Sequence, residues 1–218
     1  YQDRGADVGG VITPAGPVRV IQGATGSTIV PTDDAASIRL LDLRIDSRGV
    51  RVLAAEAIAP DDPATVRERL VVIDPATGDQ TTVVDRAARE STTRWARLLP
   101  DGSVVALQVD GIYDNVVRWE PGRATPVFHV EGAVDTNLSV VADEERVTAM
   151  VLGREDDGTP TFRTRALDAR TGAELGTGAL TPKIDGHSPL QGLSCLDQLA
   201  DGRPLCSSPM DGVVVLDA

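Results

Sequence analysis

Aromatic side chains are nearly missing from this sequence: two Trp, two Tyr and two Phe make up 3% of 218 residues. A planar cofactor or a run of stacked bases has little to lie against. The core must therefore be built from Val, Leu, Ile and Ala, which pack well as sheet faces. Lysine is almost absent too, with Lys183 alone among 21 basic residues, and the formal net charge is −12. Nucleic acid and anionic lipid need clustered cations for counterion release, and no run of the sequence supplies them. An acidic surface of this kind serves solubility. No stretch of about 18 apolar residues occurs, so this segment inserts no helix into a membrane, and no basic-then-apolar start marks an intact signal peptide.

Catalytic residue types are equally scarce. His129 and His187 are the two histidines. His129 in VFHVEG alternates as an ordinary strand residue. His187 in IDGHSPLQG has Asp185 and Ser188 beside it, but groups this close in sequence seldom form a triad, and no G-x-S-x-G elbow accompanies them. The acidic stretches Asp61-Asp62, Asp143-Glu144-Glu145 and Glu155-Asp156-Asp157 lack calcium-loop spacing and fit solvated turns. The expectation is a chain without catalytic residues, metal or cofactor.

What the sequence does have is repetition. VVIDPATGD at Val71 to Asp79 reads as a strand entering a Pro/Gly-bearing turn, with TTVV at Thr81 to Val84 returning. Related corners recur in IQGATGSTIV, RWEPGRATPVF, LDARTGAELG and the final VVVLDA. The equivalents of Asp74 are Gln22, Glu120, Asp168 and Asp217, separated by 52, 46, 48 and 49 residues. Each period also holds a second hairpin signal: around Asp46-Ser47-Arg48-Gly49, around Pro100-Asp101-Gly102, around Asp143-Glu144-Glu145, and between Cys195 and Cys206. Two hairpins per period give four strands.

Short strands are expected at Asp7 to Thr13, Val18 to Gln22 and Ser27 to Val30. Longer loops are expected at Ala59 to Arg67, Asp110 to Asn115 and Gly153 to Pro160, and one helical turn at Ala87 to Thr93. A four-stranded unit recurring at this period predicts a single all-β domain over residues 1–218: a β-propeller of four-stranded antiparallel blades, four to five of them visible. A β-sandwich accommodates the strands but leaves the periodic corner unexplained. Either Val8 to Thr13 supplies the strand missing from the last blade, or the chain is a piece of a larger ring, which is the favoured reading.

Cys195 and Cys206 bracket the Asp201-Gly202 turn and fall almost opposite each other in a hairpin closing there. Disulfide geometry fits such a pair, and the bridge would contribute about 3 kcal/mol. It would place the chain in an oxidising, extracytoplasmic compartment. The alternative is two core thiols. A metal site would need a second Cys or His pair.

On Asp74, Thr77, Gly78, Asp168, Thr171 and Gly172 the chain resembles the quinoprotein-like (PQQ-type repeat) propellers of bacteria, whose blades carry a D-x-x-T-G turn between their last two strands. The resemblance spans nearly the whole chain. That group includes quinone-dependent dehydrogenases, a periplasmic lipoprotein of outer-membrane assembly and sensor domains of membrane kinases. The family places a tryptophan eight residues after the turn aspartate to dock neighbouring blades; here those positions hold Val30, Thr82, Phe128 and Gly176.

The lack of catalytic residues, the disulfide expected between the cysteines and the acidic surface favour a non-enzymatic extracytoplasmic scaffold or sensor that binds a protein or small ligand on one face. The alternative is an oxidoreductase whose cofactor site lies partly outside this chain. Trp95, Tyr113 and Trp119 are the aromatics best able to anchor a partner.

Overall fold

The computed structural model describes residues 7–8, 11–12, 18–22, 25–29, 37–58, 66–88, 92–110, 113–135, 140–154, 160–180, 194–199, 203–208 and 212–215. Among them there is no helix, and the strands form antiparallel sheets in which each strand pairs with its neighbour in sequence. No sheet closes on itself among the described residues.

Three sheets have four strands. The first is β5(Ser37–Asp46), β6(Gly49–Ile58), β7(Arg67–Ile73) and β8(Gln80–Ala87), in that order. The second is β9(Thr92–Leu98), β10(Val104–Asp110), β11(Tyr113–Trp119) and β12(Phe128–Asp135), and the third is β13(Val140–Ala142), β14(Arg146–Arg154), β15(Pro160–Asp168) and β16(Glu174–Leu180). Three strands, β17(Ser194–Gln198), β18(Pro204–Ser208) and β19(Gly212–Val215), make a fourth sheet. At the start of the chain, β1(Asp7–Val8) pairs with β2(Val11–Ile12), and β3(Val18–Gln22) pairs with β4(Thr25–Ile29). The segment from Asp7 is therefore two very short paired strands rather than one, as befits two dipeptides separated in sequence by two glycines.

The contacts divide the chain into two compact units, one of Tyr1–Val104 with Trp119–Pro126 and one of Val105–Arg118 with Val127–Ala218.

The periodic corner falls where the repeat requires. Asp74 follows β7, Glu120 follows β11, and Asp168 ends β15, each between the third and fourth strand of its sheet. Gln22 ends β3 at the corner of its own pair, and Asp217 lies outside the described residues. At two corners the chemistry is almost the same. The Gly78 amide donates to the Asp74 carbonyl at 2.8 Å, and the Gly172 amide to the Asp168 carbonyl at 2.8 Å. The Asp74 carboxylate accepts from the Ala76 amide at 2.8 Å, and that of Asp168 from the amides of Arg170 and Thr171 at 2.9 and 2.8 Å. Gly78 and Gly172 stand at φ of 80° and 73°, a region that favours glycine. The first-to-second-strand hairpins also close at Asp46–Gly49, Pro100–Gly102 and Asp143–Glu145.

Other expectations need amendment. The helical turn at Ala87 to Thr93 is not found: Ala87 ends β8 and Thr92 and Thr93 open β9, while residues 89–91 lie outside the described set. β-branched threonines favour the pleated surface over a single unsupported helical turn. Of the three expected loops, Arg67, Asp110, Tyr113 to Asn115, Gly153-Arg154 and Pro160 belong to strands.

The first sheet shows how its faces are built. Ile38, Val52, Ala54, Val71 and Ile73 form a buried aliphatic cluster on one face, joined by Leu40. The same face carries a polar row, in which Arg69 lies 3.4 Å from the fully buried Glu56 and 3.5 Å from Asp85. In the second unit Phe128, the aromatic at the expected blade-docking position, lies directly over Gly172. A methyl group placed on Gly172 would come within 2.7 Å of the Phe128 ring. At Gly78 the same methyl group would meet nothing within 4 Å. The two glycines thus separate a backbone effect from a packing effect. Gly78→Ala should cost about 1 kcal/mol through the backbone alone, and Gly172→Ala about 2–4 kcal/mol, because a ring must also be displaced. Urea unfolding of both variants checks the difference, and equal costs would show that Phe128 does not press on this corner.

Candidate functional site

Charged side chains engage backbone groups in the first unit, where β9 runs beside β5 and β6. β9 is an edge strand of its sheet, with one row of backbone N–H and C=O groups unpaired within that sheet. Side chains of the first sheet bond to backbone groups at both ends of β9. The Thr93 amide donates to Glu68 Oε2 and Oε1 at 3.0 and 3.1 Å, and the Leu98 amide donates to Asp42 Oδ2 at 2.8 Å. Arg39 donates to the carbonyls of Thr93 and Arg94, and Arg44 reaches the Leu98 carbonyl at 3.5 Å. Two carboxylates and two guanidinium groups thus stand where a neighbouring strand would supply carbonyls and amides.

Local sequence explains the aim of these groups. Between Leu40 and Asp42 the β5–β6 register shifts by one residue, so Leu40 faces Ala54 and Asp42 faces Leu53. Arg39, Asp42 and Arg44 oppose Ala55, Leu53 and Arg51, which lie on one face of β6 by the period of two. Without the bulge at Leu41, the residues before and after it would keep strict alternation, and Asp42 would turn away from Arg39's side.

Glu68 is the hub. Its carboxylate also accepts from the Thr93 hydroxyl at 2.8 Å and from Arg86 at 2.6 Å, with Arg39 at 3.8 Å. The Glu68 side chain is 10% exposed, so its charge is compensated rather than solvated. Burial pulls the Arg39 guanidinium below its ordinary value, with the charge of Glu68 opposing. At the hairpin end of β5 and β6, Asp46 accepts from the Arg48 amide at 2.9 Å and pairs with Arg51 and with Arg44. The Arg48 amide, then the Arg51 guanidinium, hold its carboxyl down to about 2.

The aromatic anchors lie on β9 and β11. Trp95 is half-buried in β9. Tyr113 and Trp119 are the first and last residues of β11, roughly 20 Å apart along an extended strand. Trp119 is 8% exposed, and its indole N–H has no partner. His129 lies exposed in β12, while His187, Asp185 and Ser188 fall outside the described residues, as do Asp61-Asp62 and Glu155-Asp156-Asp157. Among the described residues no three His, Cys, Asp or Glu side chains gather to hold a metal ion, and no helix is long and apolar enough to cross a membrane. Cys195 stands directly opposite Cys206 in the β17–β18 register, Cys206 is buried, and no free cysteine occurs among the described residues.

No family model and no curated protein matches the chain. The functional reading therefore rests on the chain's own chemistry. Sequence inspection misses the Glu68 hub because its partners Thr93 and Arg39 lie 25 and 29 positions away. A signal exists in retrospect: Glu68 and Asp114, which is also buried, both stand six residues before a corner residue, Asp74 and Glu120.

Two outcomes follow. Glu68→Gln leaves an amide where four hydrogen bonds require an acceptor, and should lower stability by about 2–3 kcal/mol, whereas Thr93→Val removes the hydroxyl alone and should cost about 1 kcal/mol; urea denaturation measures both. The depressed Asp46 carboxyl adds stability that is complete above the ordinary carboxylate range and disappears as pH falls through about 2. Acid unfolding of Asp46→Asn should accordingly vary less between those limits than that of the wild-type chain. An identical acid limb would remove Asp46 as a contributor.

Proposed function

We propose that this chain is a non-enzymatic β-propeller domain of the quinoprotein-like kind, exposed to an extracytoplasmic compartment and acting as a binding scaffold or sensor for a protein or small ligand. The observation that carries this reading is the use made of the charged residues: Glu68, Asp42, Arg39 and Arg44 are engaged in tying one four-stranded sheet to the first strand of the next. Side chains committed to backbone ties are poorly placed for turnover and well placed to hold successive sheets. Sequential four-stranded meanders with a common corner, and Phe128 over the corner glycine of the following sheet, support a propeller arrangement in the same way.

The cross-strand register of Cys195 and Cys206 supports a disulfide between them, which suits an oxidising compartment. A bridge here would clamp the β17–β18 pair.

The test is a titration of purified chain with pyrroloquinoline quinone and calcium, followed by visible absorption, alongside alkylation and mass measurement without reductant. The scaffold reading expects no bound quinone spectrum and no alkylated cysteine until reductant is added. Stoichiometric quinone binding would transfer the chain to the oxidoreductase class, and two alkylated thiols in the native protein would remove the argument for the compartment.

A further inference from the structure

We propose that the β17–β18–β19 sheet and the β5–β8 sheet carry the two halves of one junction, through which a second copy of this chain docks head to tail. The inference goes beyond the scaffold reading and needs only the common corner, not a ring.

The corner supplies the comparison. In β7 the residues six, four and two positions before Asp74 are Glu68, Leu70 and Val72, which pair in regular register with Ala57, Ala55 and Leu53 of β6 and share one face. That face looks to the following sheet, since Glu68 on it holds the Thr93 amide of β9. Counted from Glu120 the equivalents are Asp114, Val116 and Arg118, and Arg118 reaches the Ala169 carbonyl at the next corner. Counted from Asp168 the last two are Thr164 and Ala166. The position four before the corner is buried in all three sheets; two before it, Arg118 and Ala166 are buried and Val72 is half-buried.

Counted from Asp217, the same places are held by Asp211, Val213 and Val215. β19 pairs with β18 in regular register, so Val213 and Val215 share a face. Val213 is 73% exposed and Val215 40%. This sheet therefore presents to solvent the apolar positions that the other three bury, and in sequence it keeps an acid at the place of Glu68 and Asp114.

The other half lies on the first sheet. β5 is the edge strand there, as β9 is in the second sheet. Leu43 and Ile45 stand opposite Val52 and Val50, on the face away from Asp42 and Arg44, the residues that bond β9. Val52 belongs to the buried aliphatic cluster, yet Leu43 is 43% exposed and Ile45 73%. At the junction with β9, a face bearing an acid six residues before its corner meets the edge strand of a following sheet. β19 and β5 offer those same two parts, both uncovered, so one copy supplies what the other can bury.

An interface of this kind is heterologous: each paired copy keeps one free half, and association can pass beyond two. The contact is apolar, whereas copies with a formal net charge of −12 repel one another. Salt shortens that repulsion to about 8 Å at physiological strength, so association should tighten as salt rises. A cationic foreign partner would show the opposite dependence.

The test is sedimentation velocity of the full chain over a wide concentration range at low and physiological salt. The parent chain should gain mass with concentration, more so at the higher salt. Ile45→Asp and Val213→Asp should each be monomeric alone, because each spoils one half, while an equimolar mixture of the two should form a one-to-one complex that grows no further. The variant carrying both changes should stay monomeric in every mixture. Urea midpoints equal to that of the parent guard against a folding defect, and the gentler Ile45→Thr and Val213→Thr should each weaken association roughly threefold. A parent chain monomeric at all concentrations, either aspartate variant associating by itself, or a mixture that remains monomeric would each overturn the junction. None of these outcomes bears on the quinone titration, which tests the scaffold reading separately.

Discussion

An edge strand in need of hydrogen-bond partners is the constraint around which the first unit is arranged. β9 exposes one row of amides and carbonyls at the limit of its sheet, and an unpaired row of this kind invites association with other chains. The neighbouring sheet meets both ends of it with Glu68, Asp42, Arg39 and Arg44 instead of another strand. Charged hydrogen bonds of this type are strong but demanding: each group must be nearly dry and fully matched, or the desolvation cost exceeds the gain. Glu68 meets the condition through Thr93, Arg86 and Arg39 together. That requirement in turn explains why a charged residue can occupy a strand position at the edge of an aliphatic core.

The second unit handles contact between sheets with different materials. Phe128 lies over Gly172, and Arg118 donates to the Ala169 carbonyl at 2.8 Å, so the third sheet's corner is held by one ring and one guanidinium from the sheet before it. With six aromatic residues in the whole chain, stacking cannot serve every such junction. Polar ties serve where the first sheet meets β9. The two corners at Asp74 and Asp168 share backbone chemistry yet differ in what surrounds them, which is the expected result when a repeat retains its turn and varies its neighbours.

Much of the strand layout was legible in the sequence because it depends on local signals. Turn residues at Asp46–Gly49, Asp74–Gly78, Pro100–Gly102 and Asp168–Gly172 mark reversals whatever packs against them, and the opposed positions of Cys195 and Cys206 follow from the hairpin between them. The set of charged ties to β9 was not legible. No linear run contains it, and the placement of Asp42 depends on a bulge whose register cannot be read from SIRLLDLRID alone.

The bulge at Leu41 carries a lesson about how such a chain can be cut and rejoined. Because Arg39, Asp42 and Arg44 act on the strand that opens the following sheet, the heritable module in this unit is staggered with respect to the sheet: it extends from β5 through β9 and ends one strand late. Exchange of a whole sheet between related chains would sever donors from acceptors, while a crossover in the β9–β10 turn would keep them together. A single-codon deletion in β5 would be felt on both faces at once, since the aliphatic side chains and the charged ones are held apart by one supernumerary residue.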